Sequence, residues 1–278
     1  MAERKSTFKG DLKSERAVNE FLRKYLYSYL VDDGIIDSFN SNTTLDQQHK
    51  GIDTIMYIIN DETEEAARCI NIDEKAAIHY ARNNLGDKPL STFAFEVSYL
   101  KDGELKRGWL TNEKYKETHA YFLCWLWIKP DANKYNLGCE DILKIEVLSI
   151  PKVKIRDKLI MRAMGNKEVK TFESKADILR KKMKERGVYR LELEHQLDSL
   201  INALDDRPDY NKAHLQFDTD LLVARKYPQW VLTLPEKLYE QPLNIVIKRE
   251  DLINLANSYW IVTPEGVEVK KSVSKNNA

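Results

Sequence analysis

The chain has 278 residues, 44 Lys+Arg against 44 Asp+Glu, with 42% hydrophobic and 32% charged residues. Zero formal charge excludes a generic polycation, and the apolar share excludes wholesale disorder. The length allows one large domain or two modest ones. Cys69, Cys124 and Cys139 are odd in number and far apart, so they fit neither a disulfide framework nor a zinc motif and read as reduced thiols. The opening MAERKSTFKGDLKSER is charged throughout and has no apolar signal segment. The longest apolar run, Ala120 to Ile128, is nine residues, short of the ~20 that a membrane-spanning helix needs. The expectation is a soluble cytoplasmic protein.

Ser14 to Leu30 carries Val18, Phe21, Leu22, Tyr25, Leu26 and Tyr29 at helical spacing. It predicts a helix with one buried stripe, Ser14 as its N-cap and Asp32-Asp33-Gly34 as its end. From Lys50 the period changes. Ile52, Ile55, Met56, Tyr57, Ile58 and Ile59 form a short β-rich run, and Arg68–Ala77 begins with period-two alternation. Thr92–Tyr99 alternates cleanly, with Phe93, Phe95, Val97 and Tyr99 on one face. Asp102-Gly103 predicts a tight hairpin into Leu105–Leu110. Ala120–Ile128 is apolar on both faces, as a central covered strand would be, and Ile142–Ile150 is a further strand.

Composition shifts after Pro151. Residues 151–190 hold 14 Lys/Arg against 5 Asp/Glu, a local charge of +9 in a neutral chain. Ser174-Lys-Ala-Asp177 reads as a capping box opening a helix that Gly187 closes. A second helix follows, with Leu193, Leu197, Leu200, Ile201 and Leu204 on one side, and the polar tail Lys270–Ala278 is expected to fray. Two regions result: an α/β core over 1–150, and a basic helical or mixed α/β region over 151–278 that could pack with it as one unit.

The segment richest in chemistry is Gly51-Ile52-Asp53 followed, after nineteen intervening residues, by Asp73-Glu74-Lys75. Residues i and i+2 of a strand share a face, so Asp73 and Lys75 point together and Glu74 turns away. If the strand holding Asp53 lies alongside, two carboxylates and an ammonium converge at one sheet edge. Hard oxygen ligands suit Mg²⁺ or Mn²⁺. An acidic residue two before a Lys occurs seven times in the chain, yet only the copy at Asp73 ends an alternating apolar strand behind an upstream Gly-Ile-Asp. The competing explanation is a surface ion-pair cluster at strand ends. For Glu15 it is a first-turn Glu favoured by the helix dipole.

Helix, strand with Asp, then strand with Asp-x-Lys resembles the core of the PD-(D/E)xK nuclease superfamily, over roughly residues 10–130. Ser14-Glu15-Arg16 is similar to the Glu-bearing first helix of archaeal Holliday-junction resolvases. The resemblance implies a restriction-endonuclease-like α/β fold: a mixed central sheet with flanking helices, joined here to a helix-rich C-terminal half. It implies that Asp53 and Asp73 ligate Mg²⁺ or Mn²⁺ with the Glu74 backbone carbonyl, that Lys75 acts on the nucleophilic water, and that Glu15 supports a metal or the Lys. The expected activity is hydrolysis of phosphodiester bonds, in DNA before RNA, with no membrane partner and a homodimer allowed. Lys175, Lys181, Lys182 and Lys184 of the basic stretch are the expected nucleic-acid contacts, since phosphate neutralisation dominates such binding. The alternative is a non-catalytic nucleic-acid-binding or protein-interaction factor that keeps the nuclease-like fold.

Overall fold

A computed structural model of the chain describes residues 8–41, 43–60, 65–101, 103–155, 178, 181, 182, 185, 190–193, 229–233 and 240–272. They fall into two units. The first combines Met1–Ser91, Lys114–Val153 and Glu250–Ala278, and the second Thr92–Glu113 with Lys154–Arg249.

The first unit is built on a seven-stranded sheet. Its strands are β1 (Ser38–Asn40), β2 (Thr54–Asn60), β3 (Glu65–Ala76), β6 (Ala120–Ile128), β7 (Ile142–Pro151), β11 (Ser258–Thr263) and β12 (Gly266–Lys271), hydrogen-bonded in that order. Neighbours are antiparallel except β3 and β6, which run parallel with Asp73 beside Tyr121 and Lys75 beside Leu123. β6 is buried along its whole length, as its unbroken apolar sequence requires of a central strand. Phe122, Cys124, Leu126 and Ile128 join Met56, Ile72, Ile145, Val147, Trp260 and Val262 in one core under the N-terminal helix. Tyr121, Leu123, Trp125 and Trp127 fill the opposite face.

The N-terminal helix starts earlier than its apolar stripe suggests. It runs as α1 (Phe8–Phe21), a π-helical stretch (Leu22–Tyr27) and α2 (Ser28–Asp32), stopping where Gly34 takes φ +64°. Ser14 lies inside α1 and is no N-cap. It is fully buried, donating from Oγ to the Lys134 carbonyl (3.0 Å) and accepting from the Leu137 N–H (3.2 Å). The π stretch also resets the helix face. A π turn brings residue i+5 under residue i, so Tyr27 turns inward beneath Leu22 and is fully buried, whereas Tyr25 and Tyr29 only flank the core. A short α3 (Leu45–His49), held by a capping box between Thr44 and Gln47, leads into Gly51 and β2.

The second unit holds a five-stranded antiparallel sheet, ordered β5 (Glu104–Arg107), β4 (Thr92–Lys101), β10 (Glu240–Lys248), β9 (Gln229–Thr233) and β8 (Arg190–Leu193). The expected hairpin forms, with Lys101 opposite Glu104 and Gly103 at φ +79°. Phe93, Phe95 and Val97 on β4 and Leu243, Ile245 and Ile247 on β10 are buried.

A helix-rich C-terminal half is overturned. The described residues after Pro151 give five strands, β8 to β12, beside short helices such as α4 (Lys152–Ile155) and α5 (Arg249–Leu255). Leu193, placed by its spacing at the start of a helix, ends strand β8, and Lys270 and Lys271 of the supposed tail are strand residues of β12. The period-two run Leu243, Ile245, Ile247 carried a strand signal that the helical Leu spacing upstream outweighed. Of the helix expected to open at Ser174, the described residues Ile178, Lys181, Lys182 and Glu185 are helical; the rest of it, and the second helix beyond Leu193, lie outside the described residues. Among the described residues, no helix is long and apolar enough to cross a membrane.

Candidate metal centre

Alternation along β3 divides the motif between two environments. Ile72, Glu74 and Ala76 face the helix-covered core, while Asp73 and Lys75 face the side of Tyr121 and Leu123. Asp53 comes just before β2, held there by its N–H bonded to the Ile72 carbonyl (2.9 Å). That bond sets Asp53 across from the Asp73–Glu74 peptide, and Asp53 Oδ2 accepts the Glu74 N–H (2.8 Å). The structure therefore brings Asp53, Asp73, Glu74 and Lys75 together at one end of the β2–β3 pair.

Asp73 is fully buried, and its Oδ1 pairs with Lys75 Nζ at 2.6 Å. Lys75 lies on one side of the carboxyl and the Asp53 carboxyl adjoins it on another. Burial pushes the Asp73 carboxyl up to about 8. The Lys75 ammonium pulls it back only in part, and the adjoining Asp53 charge raises it further. The Lys75 side chain is 26% exposed. Desolvation alone would lower its pKa, but the charges of Asp73 and then Asp53 more than reverse this and raise it.

The Gly51 backbone lies close to Asp73 Oδ2, with the Tyr115 ring against that glycine. Gly51 sits at φ +71°, and a Cβ there would collide with the Tyr115 ring and come within 3.1 Å of Asp73 Oδ2. Only glycine combines that φ with that approach. Thr118 Oγ1 donates to the Gly51 carbonyl (3.0 Å), its N–H bonds the Tyr115 carbonyl (3.1 Å), and Lys152 Nζ donates to that same carbonyl. The Gly51 of the sequence motif thus matters as much as the Asp that follows it.

Glu74 turns away, as alternation requires, yet it is no bystander. Its Oε1 accepts from the Tyr27 hydroxyl (2.5 Å) and from Thr54 Oγ1 (2.9 Å), and Asn19 Nδ2 reaches both carboxylate oxygens (3.1 and 3.2 Å). Burial and then the Asp53 charge push its pKa up to about 7, against the pull of those three donors. The Tyr27 phenol is driven well up by burial and then by Glu74.

Sequence reasoning missed Asn19, Tyr27, Thr54 and Tyr115. Asn19 was findable, because it lies one helical turn after Glu15 on the same helix. Glu15 itself is exposed on α1, and one turn on Asn19 reaches the Glu74 carboxylate. Lys181 is exposed and Lys182 half-buried, while Lys175 and Lys184 lie outside the described residues. Trp125 and Trp127 are core residues, and Trp109 packs on Phe95 at 5.4 Å between ring centroids.

Among the described residues no cluster of three or more His, Cys, Asp or Glu forms. The site offers two carboxylates and backbone oxygen. That set fits Mg²⁺, which takes one or two carboxylates and keeps several waters. The buried Asp73 carboxyl, raised by burial and by the Asp53 charge, fits it too, since a cation between the two would favour the charged form of both. Compared with protein-family models, with curated proteins and with solved structures, the chain matches none.

Proposed function

We propose that the chain is a divalent-metal-dependent phosphodiesterase acting on nucleic acid, DNA in the first instance, through Asp53, Asp73 and Lys75. The observation that carries this reading is the fully buried Asp73 carboxyl held between the Lys75 ammonium and the Asp53 carboxyl. Asp53 and Asp73, with the Glu74 carbonyl, would hold Mg²⁺ or Mn²⁺. When bound, the ion supplies a hard Lewis acid that polarises phosphate oxygen and acidifies water. Lys75 stays protonated and fixed by Asp73, so it offers a preorganised positive charge to a phosphate oxygen or to the attacking water. Asp53 is oriented by the Glu74 N–H, which engages one of its oxygens and leaves the other to a ligand. Gly51 lets the chain pass close to Asp73 before Asp53. The motif order supports kinship with the PD-(D/E)xK superfamily at the level of the motif. The basic stretch 151–190, with Lys181 and Lys182, supplies a polyanion-binding segment, and reduced thiols suit a cytoplasmic setting.

One observation favours a second reading. The 2.6 Å contact already gives Asp73 a cation of its own, which a non-catalytic nucleic-acid-binding or protein-interaction factor would need and no more. Incubating supercoiled plasmid with the protein in Mg²⁺, in Mn²⁺ and in EDTA separates the two. The enzymatic reading expects nicking or linearisation in metal only, lost in Asp73→Asn. Binding without metal-dependent cleavage in any of the three favours the factor.

A further inference from the structure

The inner face of β3 holds a feature that the proposed chemistry does not use directly. Glu74, between the two residues that form the site, is gripped by three side chains from three places: Asn19 on α1, Tyr27 in the π-helical stretch, and Thr54 at the start of β2. Its own N–H is the donor that orients Asp53. A single peptide thus connects the helix-covered face to the carboxylate cluster on the other face. Tyr27 ends the π-helical stretch Leu22–Tyr27, whose wider turn sets it beneath Leu22 on the buried side. Tyr27 is fixed there by the rings of Phe39 and Phe122, at 5.3 and 6.0 Å between centroids. π turns inside longer helices often sit at functional sites.

We infer that Tyr27 is a positioning residue of the metal centre: through Glu74 it locks the Asp73–Glu74 peptide so that the Glu74 N–H aims the Asp53 carboxylate. The inference rests on the metal reading above and adds that the π-helical stretch is part of the site's apparatus. Outer partners that orient a metal ligand are worth roughly 10–100-fold in metal affinity when removed. Thr54 shares the role, because its hydroxyl meets the same oxygen of Glu74 as the Tyr27 hydroxyl does.

The test is Mn²⁺ affinity, read by electron paramagnetic resonance on the full chain, with amide hydrogen exchange at Glu74 as a metal-free readout. Tyr27→Phe keeps the buried ring and loses only the hydroxyl. It should weaken Mn²⁺ binding by roughly 10-fold or more and speed exchange of the Glu74 amide. Thr54→Val should act in the same direction, and Thr54→Ser, which keeps the hydroxyl, should lie nearer wild type. Tyr259→Phe serves as control. It removes a hydrogen bond to Glu146 (3.1 Å) between β11 and β7, and should cost stability without touching Mn²⁺ affinity. If Tyr27→Phe binds Mn²⁺ as wild type does, or loses no more than Tyr259→Phe, the positioning role is overturned and the metal centre stands. If wild type binds no Mn²⁺, both fall together.

Discussion

Two strands of the same sheet carry the same charge pattern in different surroundings. On β3, Asp73 and Lys75 sit at i and i+2, and on β12 so do Glu268 and Lys270; each Lys contacts its own carboxylate. β12 is an edge strand whose two side chains are 60% and 40% exposed, whereas β3 lies between β2 and β6 and Asp73 has no exposure at all. In water such a pair is worth about 0–1 kcal/mol and can be dispensed with. In the interior, desolvation offsets much of the attraction, and removing one partner strands the other. The pattern is common in this chain; the burial is what makes one copy chemically pointed.

The largest break in this comparison is Asp73→Asn. Metal-dependent cleavage should fall by about 100-fold or more, since a ligand matters at least as much as its outer supports. In EDTA the fold should be about as stable as wild type near neutral pH and more stable above about pH 8, where wild-type Asp73 carries a buried charge beside Asp53. Glu268→Gln on β12 should change neither property. Plasmid cleavage and urea titration of the two variants read both.

Next comes the cation. Lys75→Met should destabilise by about 3 kcal/mol, the low end for stranding a buried partner, because Lys75 is partly exposed. The loss should grow as pH rises, since Asp73 escapes at lower pH by keeping its proton. Lys270→Met should cost under about 1 kcal/mol and show no such growth. Urea midpoints at several pH values test this.

A smaller effect is the pH dependence of the metal-free protein. The folded pKa of Asp73, about 8, lies above the roughly 3.9 of an unfolded Asp. The folded state therefore holds this proton more tightly. The stabilisation is complete below about pH 4 and is lost as pH climbs through about 8. Glu74, raised to about 7, adds in the same direction over a lower window. Melting temperature in EDTA should therefore fall more steeply toward pH 8 for wild type than for Asp73→Asn. Parallel curves for the two proteins would contradict it.

The mildest expected change concerns the basic stretch. Lys181→Glu with Lys182→Glu should weaken DNA binding and shrink the slope of log K against log salt by about 1–2, at roughly 0.9 for each phosphate no longer neutralised. Filter binding across a salt series measures it, and an unchanged slope would make these lysines an ordinary solvated surface.

What could be read from the sequence follows from the range of each signal. Strand alternation and turn chemistry are local, so β2, β3, β4, β6, β7 and the Gly103 hairpin were legible, as was the split of Asp73 and Lys75 from Glu74. The π stretch was not. Its residues keep an apolar spacing compatible with an ordinary α-helix, and the one-residue shift that buries Tyr27 comes from packing against Phe39 and Phe122. Ser14 misled for a related reason. A Ser before a helical stripe reads as a cap, whereas here it satisfies backbone groups of Lys134 and Leu137, more than a hundred residues away. The return of β11 and β12 to the first sheet leaves no local trace either, because strand pairing at long range is decided by tertiary contacts.

Melting with and without Mn²⁺ tests most directly whether Asp53 and Asp73 form a divalent-cation site. Anything that binds the folded state alone raises its stability by mass action, by about 2.7 kcal/mol at a hundred times Kd. Wild type should therefore melt several degrees higher in Mn²⁺ than in EDTA, and Asp73→Asn should show no such gain. A wild type indifferent to Mn²⁺, together with an Asp73→Asn variant that melts lower in EDTA, would make Asp73 a structural partner of Lys75 and remove the metal centre from the account.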